Sequence, residues 1–207
     1  MNSLPNADDS PEQLLRQARV GCTDALGRLL ELYRNYLTLL GRLQIGRRLQ
    51  GKVDEADLVQ ETFLEAHRQF GHFRGTSEAE LTAWLRTILA GSVLHLVRRF
   101  FGTQRRDVRL ERELADELDQ SSRFLDGGLV AQESSPSQRA SRREQAVLLA
   151  DALNQLPPDY REVLVLRHLE GLTFPEVAAR MGRTVDSVEK LWVRALPRLR
   201  RVLGGAE

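Results

Sequence analysis

Residues 173–196 read TFPEVAARMGRTVDSVEKLWVRAL, and this stretch decides how the carboxy-terminal part of the chain folds. Thr173-Phe-Pro-Glu176 is a capping box with proline just inside the helix start. Its glutamate can reach back to the cap N–H, so a helix is predicted to open here. Val177, Ala178 and Met181 give that helix an inward face. Gly182-Arg183 ends it, because glycine enters the left-handed conformation without the penalty a Cβ brings. Thr184 then caps a second helix. Its Val188, Leu191, Trp192, Ala195 and Leu199 turn toward a core, with Trp192 and Met181 read as packing residues. Asp186, Ser187, Glu189, Lys190, Val193 and Arg194 turn outward. Pro197 has no N–H to offer the Val193 carbonyl, so it is expected to kink or end this helix.

Two capped helices around a glycine turn form a helix-turn-helix, whose second helix lays its amino end in a DNA major groove. Beyond Glu189, the cations Lys190, Arg194, Arg198, Arg200 and Arg201 have no compensating acid, which suits a phosphate backbone. Arg183, Thr184, Ser187, Glu189, Lys190 and Arg194 are therefore the candidate DNA-contacting residues. Glu189 keeps two readings. Its carboxylate can accept from a cytosine amino group, or it can pair with Arg183 or Lys190 on a solvated surface.

Moving outward, strand signals are almost absent and helix starts recur. Ser10-Pro-Glu-Gln13 and Ser77-Glu-Ala-Glu80 are two further capping boxes. Thr23 is placed to cap one long helix carrying Leu26, Leu29, Leu30, Tyr33, Leu37 and Leu40. A third helix spans about 55–70, and the helix after Ser77 carries Leu81, Trp84, Leu85, Ile88 and Val93. Apolar stripes of this kind predict a four-helix domain over 10–118. The Ser-, Gly-, Pro- and Gln-rich stretch 119–143 reads as a flexible linker. A second helical domain covers 144–204. The expected fold is all-α, with two small domains.

Composition narrows the function. The 207 residues are 42% hydrophobic and 29% charged, and the net charge of +1 hides strong local patterning. One cysteine, Cys22, excludes an internal disulfide framework and fits a reducing compartment. The start, MNSLPNADDSPEQ, is polar and acidic where a secretory leader would be basic and apolar. No run is long enough to span a bilayer, so a cytoplasmic protein is expected. The histidines are scattered, with no metal-ligand spacing, phosphate loop or nucleophilic constellation. No enzyme activity, metal or cofactor is expected.

On these residues the chain resembles a family. LPPDYREVLVLRHLEGLTFPEVAARMGRTVDSVEKLWVRAL is similar to region 4 of the sigma-70 family of RNA polymerase sigma factors, the module that reads the upstream (−35) promoter element. Asp57-Leu-Val-Gln-Glu-Thr-Phe63 resembles the hallmark of region 2. The resemblance implies that Asp57, Gln60 and Glu61 bind the β′ clamp helices of core polymerase, and that region 4 meets the β flap. Independently, Asp57 and Glu61 lie four apart on one helical face, where carboxylates can take charge-assisted bonds from a partner's arginines. FRGTSEAELTAWLRTILAGSVLHLVRR (73–99) looks like the part that holds the downstream (−10) element. There the resemblance implies roles for Phe73, Arg74, Ile88, Ser92, Arg98 and Arg99, with Arg105 and Arg106 near the backbone. Gly91 departs from relatives that carry asparagine, and Phe73 has a second reading as core. Nothing resembles regions 1.1 or 3, which points to the compact extracytoplasmic-function group, with planctomycete-type members the nearest in pattern. The implied partners are core polymerase, promoter DNA and an anti-sigma factor. The rival readings are a stand-alone helix-turn-helix regulator and a protein-binding helical adaptor.

Overall fold

The computed structural model describes residues 10–48, 54–101 and 136–204, and the chain divides into two compact units, 1–120 and 121–207. All regular structure among the described residues is helical.

In the first unit the Ser10 hydroxyl accepts the Gln13 N–H at 3.3 Å, and Pro11 opens α1 (Pro11–Arg19). Leu14, Leu15 and Ala18 are its buried face, packed on α2 (Thr23–Leu32). The long helix expected from Thr23 is in fact two. Tyr33 closes α2 with a short bond from its N–H to the Leu30 carbonyl (3.0 Å), and α3 (Arg34–Arg48) begins after it. Thr23 is the first helical residue, and Cys22 holds the cap position without a side-chain bond. The anchor at the break is Tyr33 itself, which is 1% exposed and donates its phenol O–H to Glu78 Oε1 at 2.9 Å. Burial first, then the Glu78 carboxylate, push this phenol's pKa up, so it remains a donor.

Asp54 caps α4 (Glu55–Gln69) by accepting the Ala56 N–H at 2.8 Å. Helix α4 approaches α3 closely at Gly41, where a Cβ would come within 2.8 Å of Leu58. A 3₁₀ turn, Phe70–His72, and a short loop lead to α5 (Glu78–Phe101). Its capping box forms. Glu80 Oε2 accepts the Thr76 and Ser77 N–H groups at 2.8 and 3.0 Å, and Ser77 Oγ accepts the Glu80 N–H at 3.3 Å. Leu29, Leu37, Leu40, Leu58, Leu81 and Leu85 are fully enclosed. Each such side chain stabilises the unit by roughly 1.5–3 kcal/mol relative to exposure.

In the second unit α6 runs Pro136–Asn154. The linker expected over 119–143 therefore ends earlier than its composition implied, and residues 119–135 lie outside the described part. The physical reason is local. Pro136 fits a first helical turn, and Gln138, Arg139, Ala140, Arg142 and Arg143 are good helix formers despite the serines between them. Helix α7 (Pro158–Leu164) passes into a π-helical turn, Val165–Leu169, and then α8 (Phe174–Met181) and α9 (Val185–Gly204) follow. Glu176 Oε2 accepts both the Thr173 N–H (2.7 Å) and its hydroxyl (2.6 Å), closing the box at the start of α8. Gly182 sits at φ 63°, ψ 34°, the left-handed turn the sequence called for. Thr184 Oγ1 accepts the Ser187 N–H at 3.3 Å and caps α9. Ala146, Val163, Val177, Val188 and Ala195 form the sealed centre.

Pro197 does not end α9, which continues to Gly204. Val193 and Pro197 both sit on the exposed side, where water can take the carbonyl that proline leaves unbonded. Beyond it Leu199 and Val202 are half-buried.

Candidate nucleic-acid interface and partner surface

Helix α9 has the two-sided character that groove reading requires. Val188 and Ala195 are buried, while Thr184, Asp186, Glu189, Lys190, Val193 and Arg194 are exposed and Ser187 is half-buried. Two of the cations are engaged within the unit. Lys190 Nζ pairs with Asp186 Oδ2 at 2.7 Å, and Arg183 Nη2 with Asp159 Oδ2 at 2.6 Å. Such solvated pairs contribute about 0–1 kcal/mol, so a phosphate or base can displace them at little cost. Glu189 pairs with neither Arg183 nor Lys190, and no described residue bonds it. Arg194, Arg198, Arg200 and Arg201 are exposed and likewise unpaired among the described residues.

Behind this surface, Trp192 is half-buried rather than sealed. Its indole N–H donates to His168 Nε2 at 2.8 Å, and Phe174 packs edge-on to it with centroids 5.6 Å apart. Arg167 lies over the Phe174 ring, 5.0 Å from its centroid, and donates to the Leu172 carbonyl at 3.0 Å. Partial burial, then the neighbouring Arg167, hold the His168 imidazole below its ordinary pKa, which keeps Nε2 an acceptor. This joint, which braces α9 from the π turn and α8, was not foreseen. A π turn has no sequence signature as plain as a capping box.

In the first unit α4 buries Leu58, Val59, Thr62, Phe63 and Ala66 and turns Asp57 and Gln60 to solvent, with Glu61 half-buried beside them. None of the three side chains bonds another described residue. Leu64, 46% exposed, stands one turn further along. The result is an acidic, amide-bearing face with an apolar contact at its edge, which suits a basic partner helix.

The residues expected at the downstream element divide. Arg74 is exposed, donating from Nη1 to the Gly71 carbonyl at 2.8 Å, and Arg98 and Arg99 lie in the last turn of α5. Arg105 and Arg106 fall outside the described residues. Phe73, Ile88 and Ser92 are interior, at 9%, 6% and 5% exposure. Helical spacing accounts for this: positions 81, 85, 88 and 92 share the inward face of α5. The Ser92 hydroxyl is spent on the Ile88 carbonyl at 3.2 Å. Phe73 packs on Trp84 and Phe70, with ring centroids 5.0 and 5.9 Å away. A cleft of about 410 Å³ does open beside this cluster, but its other wall is the α1–α2 turn. Arg19 and Cys22 line it from that side, His67, Phe70, Phe73 and Arg74 from the other. Arg19, whose guanidinium donates to the Gly75 carbonyl at 3.1 Å, was not among the expected residues. A contact between residues so far apart in sequence leaves no local pattern.

Among the described residues no group of acids, histidines or cysteines could hold a metal, and no helix is long and apolar enough to cross a membrane. Two family profiles match the chain: "Sigma-70 region 2" over residues 32–100 and "Sigma-70, region 4" over 146–199. The chain is similar to the ECF RNA polymerase sigma factor BldN of Streptomyces coelicolor, 31% identical over 92% of this chain and 65% of that protein. It therefore spans just under two thirds of that relative's length. It is also similar to the RNA polymerase sigma-H factor of Pseudomonas aeruginosa, 28% identical over 90% of each. A solved structure of the sigma factor RpoE in complex with the anti-sigma factor NepR from Bartonella quintana is 26% identical over 82% of this chain and 92% of that one, with a TM-score of 0.31. The two profiles lie in the family's order and cover more than half of the chain between them: it belongs to the sigma-70 family of RNA polymerase sigma factors, in the extracytoplasmic-function group.

Proposed function

We propose that this chain binds core RNA polymerase, directs it to promoters and helps to open them. The observation that carries the reading is the solvent-facing row Thr184, Glu189, Lys190 and Arg194 on a helix whose opposite side is packed. In the same chain stands an acidic face that no described residue occupies. Asp57, Gln60 and Glu61 meet the β′ clamp helices. The second unit docks on the β flap and reads the upstream element with α9, assisted by Arg183 and Ser187. Arg74, Arg98 and Arg99 hold the separated downstream strand, since unstacked bases cost a few kcal/mol that protein contacts must offset.

The polymerase supplies the phosphodiester chemistry, so no catalytic residue or cofactor is assigned here, and the place of action is the cytoplasm. An anti-sigma partner would act by covering one of these faces. Mixing the purified chain with core polymerase is the test. Co-elution and promoter-dependent transcription are expected. Tight binding to a defined operator without polymerase, together with no transcription, would instead identify a stand-alone helix-turn-helix regulator.

A further inference from the structure

We infer that Arg19, in the last turn of α1, is a positioning residue: it holds the loop Gly71–Ser77 by its Gly75 carbonyl and so sets the width of the cleft beside that loop. The inference rests on the proposal that this loop meets the downstream strand. Arg19 lies outside residues 32–100, the span matched by the region 2 profile, so no family motif assigns it.

The loop is tied locally at both ends. Toward α4, the Phe73 N–H bonds the Phe70 carbonyl at 3.0 Å, and Arg74 Nη1 donates to the Gly71 carbonyl at 2.8 Å. Toward α5, Glu80 Oε2 gathers the Thr76 and Ser77 N–H groups. Gly75 stands between these two networks. Its backbone is pressed against the aromatic cluster, since a Cβ there would come 2.4 Å from Phe73 and 2.7 Å from Glu80 Cβ. Its carbonyl receives Arg19 Nη1 at 3.1 Å, reaching over from α1.

A guanidinium suits this task. It is charged at every working pH, its bond to a carbonyl is charge-assisted, and its remaining N–H groups stay free for solvent. Arg19 and Arg74 line the same cleft from opposite walls. The Arg19 bond is thus the tie between the α1–α2 turn and the loop. Once it is lost, the loop can pivot at Gly75, and the two local networks no longer share a fixed frame.

The test uses the full chain assembled with core polymerase. Holoenzyme is selected against promoter libraries carrying a pre-opened bubble, with either the downstream or the upstream element randomised. Arg19→Ala should flatten enrichment at downstream positions about three- to tenfold, the net scale of one solvent-exposed hydrogen bond. Upstream enrichment and core affinity should stay at wild-type values, and Arg19→Lys should recover part of the loss. The slope of binding against salt should not change, because a positioning residue neutralises no phosphate. A slope shallower by about one in Arg19→Ala would make Arg19 a direct phosphate contact and overturn the assignment. Equal losses at both elements with a lowered melting temperature would reduce Arg19 to general packing, and unaltered downstream selection would dismiss it outright. If wild-type holoenzyme itself selects no downstream sequence, the reading of the loop falls first, and the assignment falls with it.

Discussion

The helix-turn-helix of the second unit and the α4–α5 loop of the first belong to one protein but expose opposite kinds of surface. Helix α9 displays its polar residues, with Thr184, Glu189, Lys190 and Arg194 in solvent on a braced scaffold. In the first unit Phe73, Ile88 and Ser92 are interior, and only the rim of a cleft carries charge. On the proposed function, the difference follows from the two substrates. A duplex offers its groove edges ready-made, so a preformed surface suffices. A separated strand presents loose bases that must be received in a concavity, and a concavity needs packed walls. On that reading, burial beside the cleft is structural support.

Two experiments could break this contrast. Phe73→Ala should cost the first unit about 3–5 kcal/mol of stability, because it empties a cluster shared with Phe70 and Trp84. Urea unfolding followed through Trp84 would show it, and an unmoved midpoint would return Phe73 to the role of a DNA contact. Next in size, Asp57→Arg combined with Glu61→Arg reverses the charge of the α4 face without touching its buried stripe. Core-polymerase affinity should fall by about two to three decades, or roughly 3–4 kcal/mol, with unchanged helicity by circular dichroism. Full retention of binding would remove α4 from the interface.

Two smaller effects would sharpen the contrast on the side of α9. Glu189 has no partner among the described residues, although an acid near phosphates is repelled. A hydrogen bond from a cytosine amino group would give it a reason to stand there. Glu189→Gln should then relax preference at one upstream base pair, worth about 1–3 kcal/mol in a binding series across promoter variants. Uniformly tighter binding to every variant would show a merely repulsive charge. The smallest effect concerns the two capping boxes. Hydrogen bonds from Thr76 and Ser77 hold the Glu80 carboxyl below its usual range, and those from Thr173 do the same for Glu176. A depressed carboxylate contributes stability that is fully present above its unfolded pKa and is lost as pH falls through the folded one. The two boxes should therefore weaken as pH falls below the ordinary glutamate range, and Glu80→Gln with Glu176→Gln should blunt that part of the acid dependence in thermal melts.

What the sequence revealed and what it withheld divides by range. The capping boxes at Ser77 and Thr173, the Gly182 turn and the buried Val188 and Ala195 of α9 depend on nearby residues, and all are present. The polar face of α4 was legible for the same reason. The break at Tyr33 depends on Glu78, on another helix, so helical periodicity ran straight through it. Ile88 was legible as part of the apolar stripe with Leu81 and Leu85, and the same spacing sets Ser92 beside it. The serines in 136–143 masked good helix formers. Pro197 was read from its missing N–H alone, without knowing that its side of α9 faces water. The bond from Arg19 to Gly75 left no trace in the sequence at all.

The exposed thiol at the mouth of the cleft has a practical consequence. Cys22 is the only cysteine in the chain and sits on the wall opposite Arg74. A maleimide dye would therefore attach at one known place without any prior mutagenesis. Its emission would report, in real time and during a single round of initiation, when the cleft fills and when it empties.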